Sequence, residues 1–228
     1  MIKLVLVRHG ESIWNKENRF AGWTDVELSE EGKKEAIEAG KKLYENGFDF
    51  DIVYTSVLKR ALDTLNLILN EMHDSELTIK RSYKLNERHY GALQGLNKKE
   101  TADKCGEEQV RLWRRGYDVK PPELTIDDPR FPGNDPLYSN IDRSLLPLSE
   151  SLKDTVKRVV GYYLEEIKPE LLNGKNIMIV AHGNSLRGLV KYLENISDED
   201  IMNVEIKLGS PLIYELDEEL NVIKHYYL

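Results

Sequence analysis

The sequence predicts an α/β protein: a three-layer αβα sandwich around a mainly parallel central sheet, with a long irregular insertion in its middle. Strand-like and helix-like segments alternate along the chain, which is the pattern of a parallel sheet covered by helices. Two short, nearly unbroken apolar runs, Ile2–Val7 and Ile177–Ala181, read as strands buried on both faces. Both runs end in His-Gly, at His9-Gly10 and His182-Gly183, and open α/β sheets bind ligands just beyond the carboxyl ends of their strands.

The elements follow in order. After the first strand, Ser29 precedes Glu30 and Glu31, an N-cap with acids in the first turn, and Ala36, Ile37, Gly40, Leu43 and Tyr44 share one helical face that Gly47 is placed to stop. A short strand at Ile52–Tyr54 leads to Thr55-Ser56, with Ser56 expected to cap a helix that carries Ala61, Leu62, Leu65, Ile68, Leu69 and Met72. Six of the eight prolines lie between Pro121 and Pro147, so that span is expected to be irregular loop over the surface. Leu152, Val156, Val159, Val160, Tyr163, Leu164 and Ile167 then mark an amphipathic helix. The second buried strand is followed by Leu186, Leu189, Val190 and Leu193 at helical spacing, and Leu212–Leu216 with Val222–Tyr226 reads as a strand pair or a strand and its extension. No repeat and no linker divides the 228 residues, which fit one domain, 1–228.

Composition narrows the function. Forty acids against 32 bases give a net charge of −8, which argues against nucleic acid as a partner while leaving room for a local basic cleft. The longest apolar run, five residues, is far short of the roughly 20 that a helix needs to cross a bilayer. No secretory signal is apparent, and a single cysteine, Cys105, excludes an intrachain disulfide, so a soluble protein of a reducing compartment is expected. No metal signature appears: there is no His-Glu-x-x-His and no carboxylate cluster.

Cations gather where a site should be. Arg8 abuts the first strand-end histidine, Lys59 and Arg60 fall in the first turn of their helix, and Arg187 follows the second His-Gly. The positive end of a helix dipole disfavours cations unless an anion is bound between them, although arginines reaching outward to solvent would read the same way. Glu87 opens the irregular middle and is read either as a surface partner of Arg88 or as a chemical group. Residues 111–120 hold Arg111, Arg114, Arg115 and Lys120 against the single acid Asp118, a solvated basic face or the wall of an anion pocket.

The motifs themselves are familiar. Leu6-Val7-Arg8-His9-Gly10-Glu11-Ser12 resembles the signature of the histidine phosphatase superfamily. Together with Trp14-Asn15, Asn18-Arg19-Phe20, Gly22-Trp23, Lys59-Arg60-Ala61, Leu85–Gly91, Gly95–Lys98, Trp113-Arg114-Arg115, Glu150–Asp154 and Ala181–Arg187, it resembles the cofactor-dependent phosphoglycerate mutases of that superfamily over nearly the whole chain. The resemblance implies that His9 is a nucleophile carrying a phosphoryl group, surrounded by Arg8, Arg60 and His182, with Asn15, Gly183 and Asn184 as further donors. Glu87 would be the general acid and base, while Tyr90, Lys98, Arg114 and Arg115 would hold the substrate carboxylate and second phosphate. Ala21 and Gly22 match the substrate-binding run, although Ala21 stands where members often carry a small hydroxyl or thiol, so its contact would come from backbone. The implied reaction interconverts 3-phosphoglycerate and 2-phosphoglycerate in cytoplasmic glycolysis and gluconeogenesis. Its implied cofactor is 2,3-bisphosphoglycerate as priming phosphoryl donor, without a metal, and a bisphosphoglycerate or broader histidine phosphatase on the same fold is the alternative. Members occur as monomers, dimers and tetramers, which leaves a homo-oligomer open. They often continue past the final strand into a mobile tail; with Leu228 as the last residue here, closure is expected to fall to the Pro121–Pro147 loop or to be incomplete.

Overall fold

The computed structural model describes residues 2–73 and 77–228. Among them, the strands β1 (Ile2–Arg8), β2 (Ile52–Thr55), β3 (Thr78–Arg81), β4 (Ile177–Ala181), β5 (Leu212–Leu216) and β6 (Val222–Tyr227) form one sheet in the order β3-β2-β4-β1-β5-β6. The pairings β1–β4, β2–β4 and β2–β3 are parallel, and β5 and β6 extend the sheet as an antiparallel hairpin. The helices are α1 (Ile13–Lys16), α2 (Glu30–Glu45), α3 (Lys59–Met72), α4 (Lys98–Cys105), α5 (Glu107–Arg115), α6 (Leu152–Tyr162), α7 (Lys168–Leu172) and α8 (Gly183–Leu193). Among the described residues, no helix is long and apolar enough to cross a membrane.

The strand period of two sorts the core into two layers. Val5, Val7, Val53, Met178 and Val180 meet Ala39 and Leu43 of α2 and Leu65, Ile68 and Leu69 of α3. The alternate set, Leu4, Leu6, Ile52, Tyr54, Ile177 and Ile179, meets Val159 and Tyr162 of α6 and Leu186 and Leu189 of α8. Covering on both faces is why the two central strands could be read as nearly unbroken apolar runs.

Local signals act largely as the sequence indicates, with three differences. Ser29 caps α2, its hydroxyl accepting from the Gly32 N–H at 3.1 Å, and Gly47 turns the chain past the helix end with φ +67°. Ser56, however, does not cap α3. The helix starts after Leu58 with no side-chain cap, and the Ser56 hydroxyl turns inward to His182 instead.

The amphipathic helix over 152–167 is also not uniform. α6 gives way to a π-helical turn at Tyr163–Ile167, which rotates Tyr162, Tyr163 and Ile167 into the core and leaves Leu164 42% exposed. Pro169 has no N–H to continue the α-helical ladder there, and the Glu166 carbonyl accepts from the Tyr54 hydroxyl at 2.9 Å.

The proline-rich span is, finally, more than a surface loop. It forms three short 3₁₀ turns and buries Leu124, Phe131, Tyr138 and Leu146 around Trp23 in a small core of its own.

Candidate active site

The parallel register of the sheet builds the centre. β1 and β4 align Arg8 with Ala181, so that His9 and His182 leave the sheet side by side, and the His9 N–H donates to the Ala181 carbonyl at 3.0 Å. Their rings lie 5.0 Å apart, centroid to centroid, at 60°. Gly10 lets the chain turn away directly beyond His9: a Cβ there would fall 2.1 Å from the carbonyl oxygen of Gly32, so only glycine brings this turn against the start of α2.

Both imidazoles are buried and neutral in the physiological range. Burial holds the His9 pKa well below its ordinary value, and the guanidinium groups of Arg60 and Arg8 add to the effect. His9 Nδ1 lies 2.6 Å from the Gly10 carbonyl, which can only accept, so the proton sits on Nδ1 and the lone pair on Nε2. Burial likewise lowers His182, with Arg60 and His9 next in effect. His182 Nε2 is 2.7 Å from the Ser56 hydroxyl, whereas its Nδ1 is buried without a protein partner.

Arg8, Arg60 and Arg187 are fastened rather than free. Arg60, 1% exposed, donates to the carbonyls of Thr24 and Gly22 at 2.9 and 2.7 Å, and burial lowers its pKa to about 10. Arg8 donates from Nη1 to the Ile206 carbonyl at 2.8 Å, leaving Nε buried and unpaired. Arg187 bridges Asn184 Oδ1 and the Ile201 carbonyl, with its own Nε unpaired. Asn15, in α1, accepts from the Ser12 N–H through Oδ1 at 3.1 Å, which leaves its amide nitrogen as a donor.

Glu87 faces the same cavity at 9% exposure. Its Oε1 accepts from two backbone N–H groups, Arg88 at 2.7 Å and Asn184 at 3.1 Å, so the other oxygen is left for chemistry. Tyr90 joins this wall, its hydroxyl accepting from Asn184 Nδ2 at 3.2 Å.

One pocket is lined by nearly every residue singled out from the sequence: Arg8, His9, Asn15, Ala21, Gly22, Arg60, Glu87, Tyr90, Lys98, Arg114, Arg115, Gly183 and Asn184. His182 is the exception; it stands behind the wall, against His9. Lys59 lies outside too, paired with Glu27 at 2.5 Å in solvent. The Pro121–Pro147 span, expected to close the site, contributes no residue to this pocket.

Sequence reasoning missed Arg19, Phe20, Glu205 and Ile206 and left Arg187 undecided, yet all five line the pocket. Arg19 and Phe20 stood inside a motif that was noticed without a role. Glu205 and Ile206 carry no periodic signal; they arrive because Arg8 and Leu208 form a bridge beside β1. The lining carries seven cations, Arg8, Arg19, Arg60, Lys98, Arg114, Arg115 and Arg187, against the carboxylates of Glu87 and Glu205. Such a field in a chain of net charge −8 suits a multiply charged anion. Burial, followed by Arg114 and Arg8, lowers the Lys98 pKa to about 8. Chemically, the arrangement offers a neutral nitrogen nucleophile, a carboxylate able to move a proton, and fixed positive charge around both.

Residues 4–228 match the family described as histidine phosphatase superfamily (branch 1). The chain is 58% identical over 228 residues to the 2,3-bisphosphoglycerate-dependent phosphoglycerate mutase of Borreliella afzelii (strain PKo), spanning 100% of this chain and 92% of that protein. Among solved structures it resembles a mycobacterial glucosyl-3-phosphoglycerate phosphatase, with TM-score 0.74 and 20% identity over 100% of this chain and 97% of that one. It also resembles the α-ribazole phosphatase of Shigella flexneri, with TM-score 0.73 and 20% identity over 98% and 95% of the two chains. These structural likenesses bear on the fold.

Proposed function

Because this chain belongs to the histidine phosphatase superfamily, we infer that its pocket interconverts 3-phosphoglycerate and 2-phosphoglycerate through phosphorylated His9. The observation that carries this reading is the cation set beyond those around His9. Lys98, Arg114 and Arg115 line the pocket together with Arg8 and Arg60. A phosphatase of simple monoesters needs positive charge at one phosphoryl group only, whereas a phosphoglycerate also presents a carboxylate to be held. The 58% identity to a phosphoglycerate mutase points the same way. The reading includes glycolysis and gluconeogenesis in the cytoplasm as the setting.

In the primed enzyme the Glu87 carboxylate takes the proton of a substrate hydroxyl as that oxygen attacks the phosphorus on His9 and the N–P bond breaks, restoring neutral His9. His9 Nε2 then attacks the other phosphoryl group of the bound product, a new N–P bond forms and the P–O ester bond breaks, and Glu87 returns that proton to the departing alkoxide. Arg8 and Arg60 stabilise the charge on the equatorial phosphoryl oxygens, the dominant contribution in such transfers. One buried unpaired donor of the pocket lining fits this load: Arg8 Nε has no protein partner. When bound, 2,3-bisphosphoglycerate supplies the phosphoryl group that primes His9. Turnover measured with and without 2,3-bisphosphoglycerate, in chelator, tests the reading. Formation of 2-phosphoglycerate that depends on the bisphosphate supports it, whereas release of inorganic phosphate alone would make the chain a phosphatase.

Two predictions belong to substrate binding. Lys98 is charged below about pH 8 and neutral above it. The KM for 3-phosphoglycerate is therefore expected to climb above pH 8, by up to about tenfold per pH unit, and to stay flat in Lys98→Arg; a flat profile in the unmodified protein would remove Lys98 from the binding set. Glu205 lies 3.6 Å from Arg115 Nη2 with its side chain 69% exposed. A pair so exposed is worth at most about 1 kcal/mol, so an incoming anion displaces it readily. Glu205→Gln is expected to lower the Kd of 2,3-bisphosphoglycerate about threefold or more, and that of the less charged 3-phosphoglycerate by less, with the difference fading in salt. Weaker binding of both ligands would instead show that Glu205 holds Arg115 in place.

A further inference from the structure

The stretch that carries Glu87 has neither helix nor strand to hold it from Asn86 to Tyr90, so its backbone carbonyls need partners from elsewhere. One side chain serves its first two carbonyls together with two of the turn before it. Arg158, in α6, donates from Nη1 to the carbonyls of Tyr83, Lys84 and Asn86 at 3.2, 2.9 and 3.1 Å, and from Nη2 to the carbonyl of Glu87 at 3.2 Å. The guanidinium is in turn gripped by Glu150, Nε to Oε1 and Nη2 to Oε2, both at 2.7 Å, with the two side chains 11% and 6% exposed.

Glu150 ties down the far side of the same stretch: its Oε2 accepts from the His89 N–H at 2.9 Å and its carbonyl from Arg88 Nε at 2.8 Å. Trp23, whose ring lies 5.4 Å from the Arg158 guanidinium carbon, donates through its indole N–H to the Glu87 carbonyl at 2.5 Å. Neither Arg158 nor Glu150 lines the catalytic pocket. Only the planar fork of an arginine can reach this many acceptors at once; the ammonium of lysine has three donors at a single point.

We propose that Arg158, fixed by Glu150, is a positioning residue for Glu87: it sets the backbone from which the carboxylate reaches the leaving oxygen. This rests on the reading of Glu87 as the acid–base group. A misplaced carboxylate fails wherever a proton must be delivered and matters little where none is needed, and that separates positioning from general weakening of the fold.

The experiment compares two reactions in the full-length protein. Turnover of 3-phosphoglycerate requires protonation of an alkoxide, whereas p-nitrophenyl phosphate gives up its phosphoryl group to His9 with a leaving group that departs unprotonated. Arg158→Met is expected to cut kcat on 3-phosphoglycerate by about tenfold to a hundredfold while labelling of His9 by p-nitrophenyl phosphate changes less than about threefold. Glu87→Gln should show the same selectivity, and the double variant should be no slower than Glu87→Gln alone, since the two residues act as a unit. Arg158→Lys keeps the charge without the fork; it should show a smaller loss of the same selectivity and serves as the test if the methionine variant does not fold. Equal loss in both reactions, or no loss in either, for a folded variant would overturn the positioning role. A Glu87→Gln enzyme that does not discriminate between the two donors would overturn the acid–base reading and this inference with it; a selective Glu87→Gln beside an unselective Arg158 variant would overturn the inference alone.

Discussion

His9→Ala is expected to eliminate the acid-labile, base-stable label that 2,3-bisphosphoglycerate leaves on the protein, and with it mutase turnover, by roughly 10⁴-fold or more because the covalent route is lost. In the proposed reading His9 is the acceptor and its neighbour is not. The His9 proton is committed to the Gly10 carbonyl through Nδ1, so Nε2 is unprotonated and the ring lines the pocket. His182 has Nε2 occupied by Ser56 and does not line the pocket surface. Because Arg8 and Arg60 are held by carbonyls of Ile206, Thr24 and Gly22 rather than by His9, the alanine variant keeps its positive field. Equilibrium binding of 3-phosphoglycerate should thus stay within a few fold. Peptide mapping of the labelled protein decides the matter: label retained in His9→Ala, or found on His182, would reverse the roles assigned to the two histidines.

Glu87→Gln carries the second large effect, a fall in kcat of about 10²-fold or more with substrate binding preserved or improved. The substitution is gentle structurally. A glutamine Oε1 can still accept from the N–H groups of Arg88 and Asn184, as the carboxylate does, so the wall of the pocket keeps its shape. What disappears is the free oxygen that can carry a proton. Removing a negative charge from among Arg8, Arg60 and Lys98 also leaves more field for an anion. Steady-state kinetics with a parallel binding titration separate the two contributions. A variant with raised KM and unchanged kcat would mean that Glu87 holds substrate and moves no proton.

The sequence revealed most where chemistry and regular structure coincide. β1 and β4 are buried on both faces, which writes them as nearly unbroken apolar runs, and the His-Gly pair after each marks the strand end at which the pocket opens. Arg60 was visible because a cation in the first turn of a helix is out of place without an anion. The same argument selected Lys59, which turned out to sit in solvent against Glu27, since position along a helix does not say which way a side chain leaves it. Most of the remaining residues, Glu87 and the basic segment among them, became specific only through resemblance.

What stayed hidden has physical reasons. Ser56 looks like a cap in one dimension, and its partner is far away in sequence at His182. Glu205 and Ile206 lie in a stretch without period or motif, brought in by backbone bonding to Arg8 and beside it. Arg158 reads as one more charge on an amphipathic helix, and nothing local to it tells that four carbonyls distant in the chain will need its donors.

The strand order has a consequence for how the chain comes to be folded. β4 lies between β1 and β2, which do not pair with each other. A nascent polypeptide that has reached only α7 therefore owns β2 with β3 as one ribbon and β1 as an orphan, each edged with apolar residues and with backbone groups unmet. Closing this sheet means joining residues far apart in sequence, which is slow and leaves sticky surface exposed while it waits. The two histidines come together in that same event, so the pair at the centre of the site forms only once β4 has entered between β1 and β2.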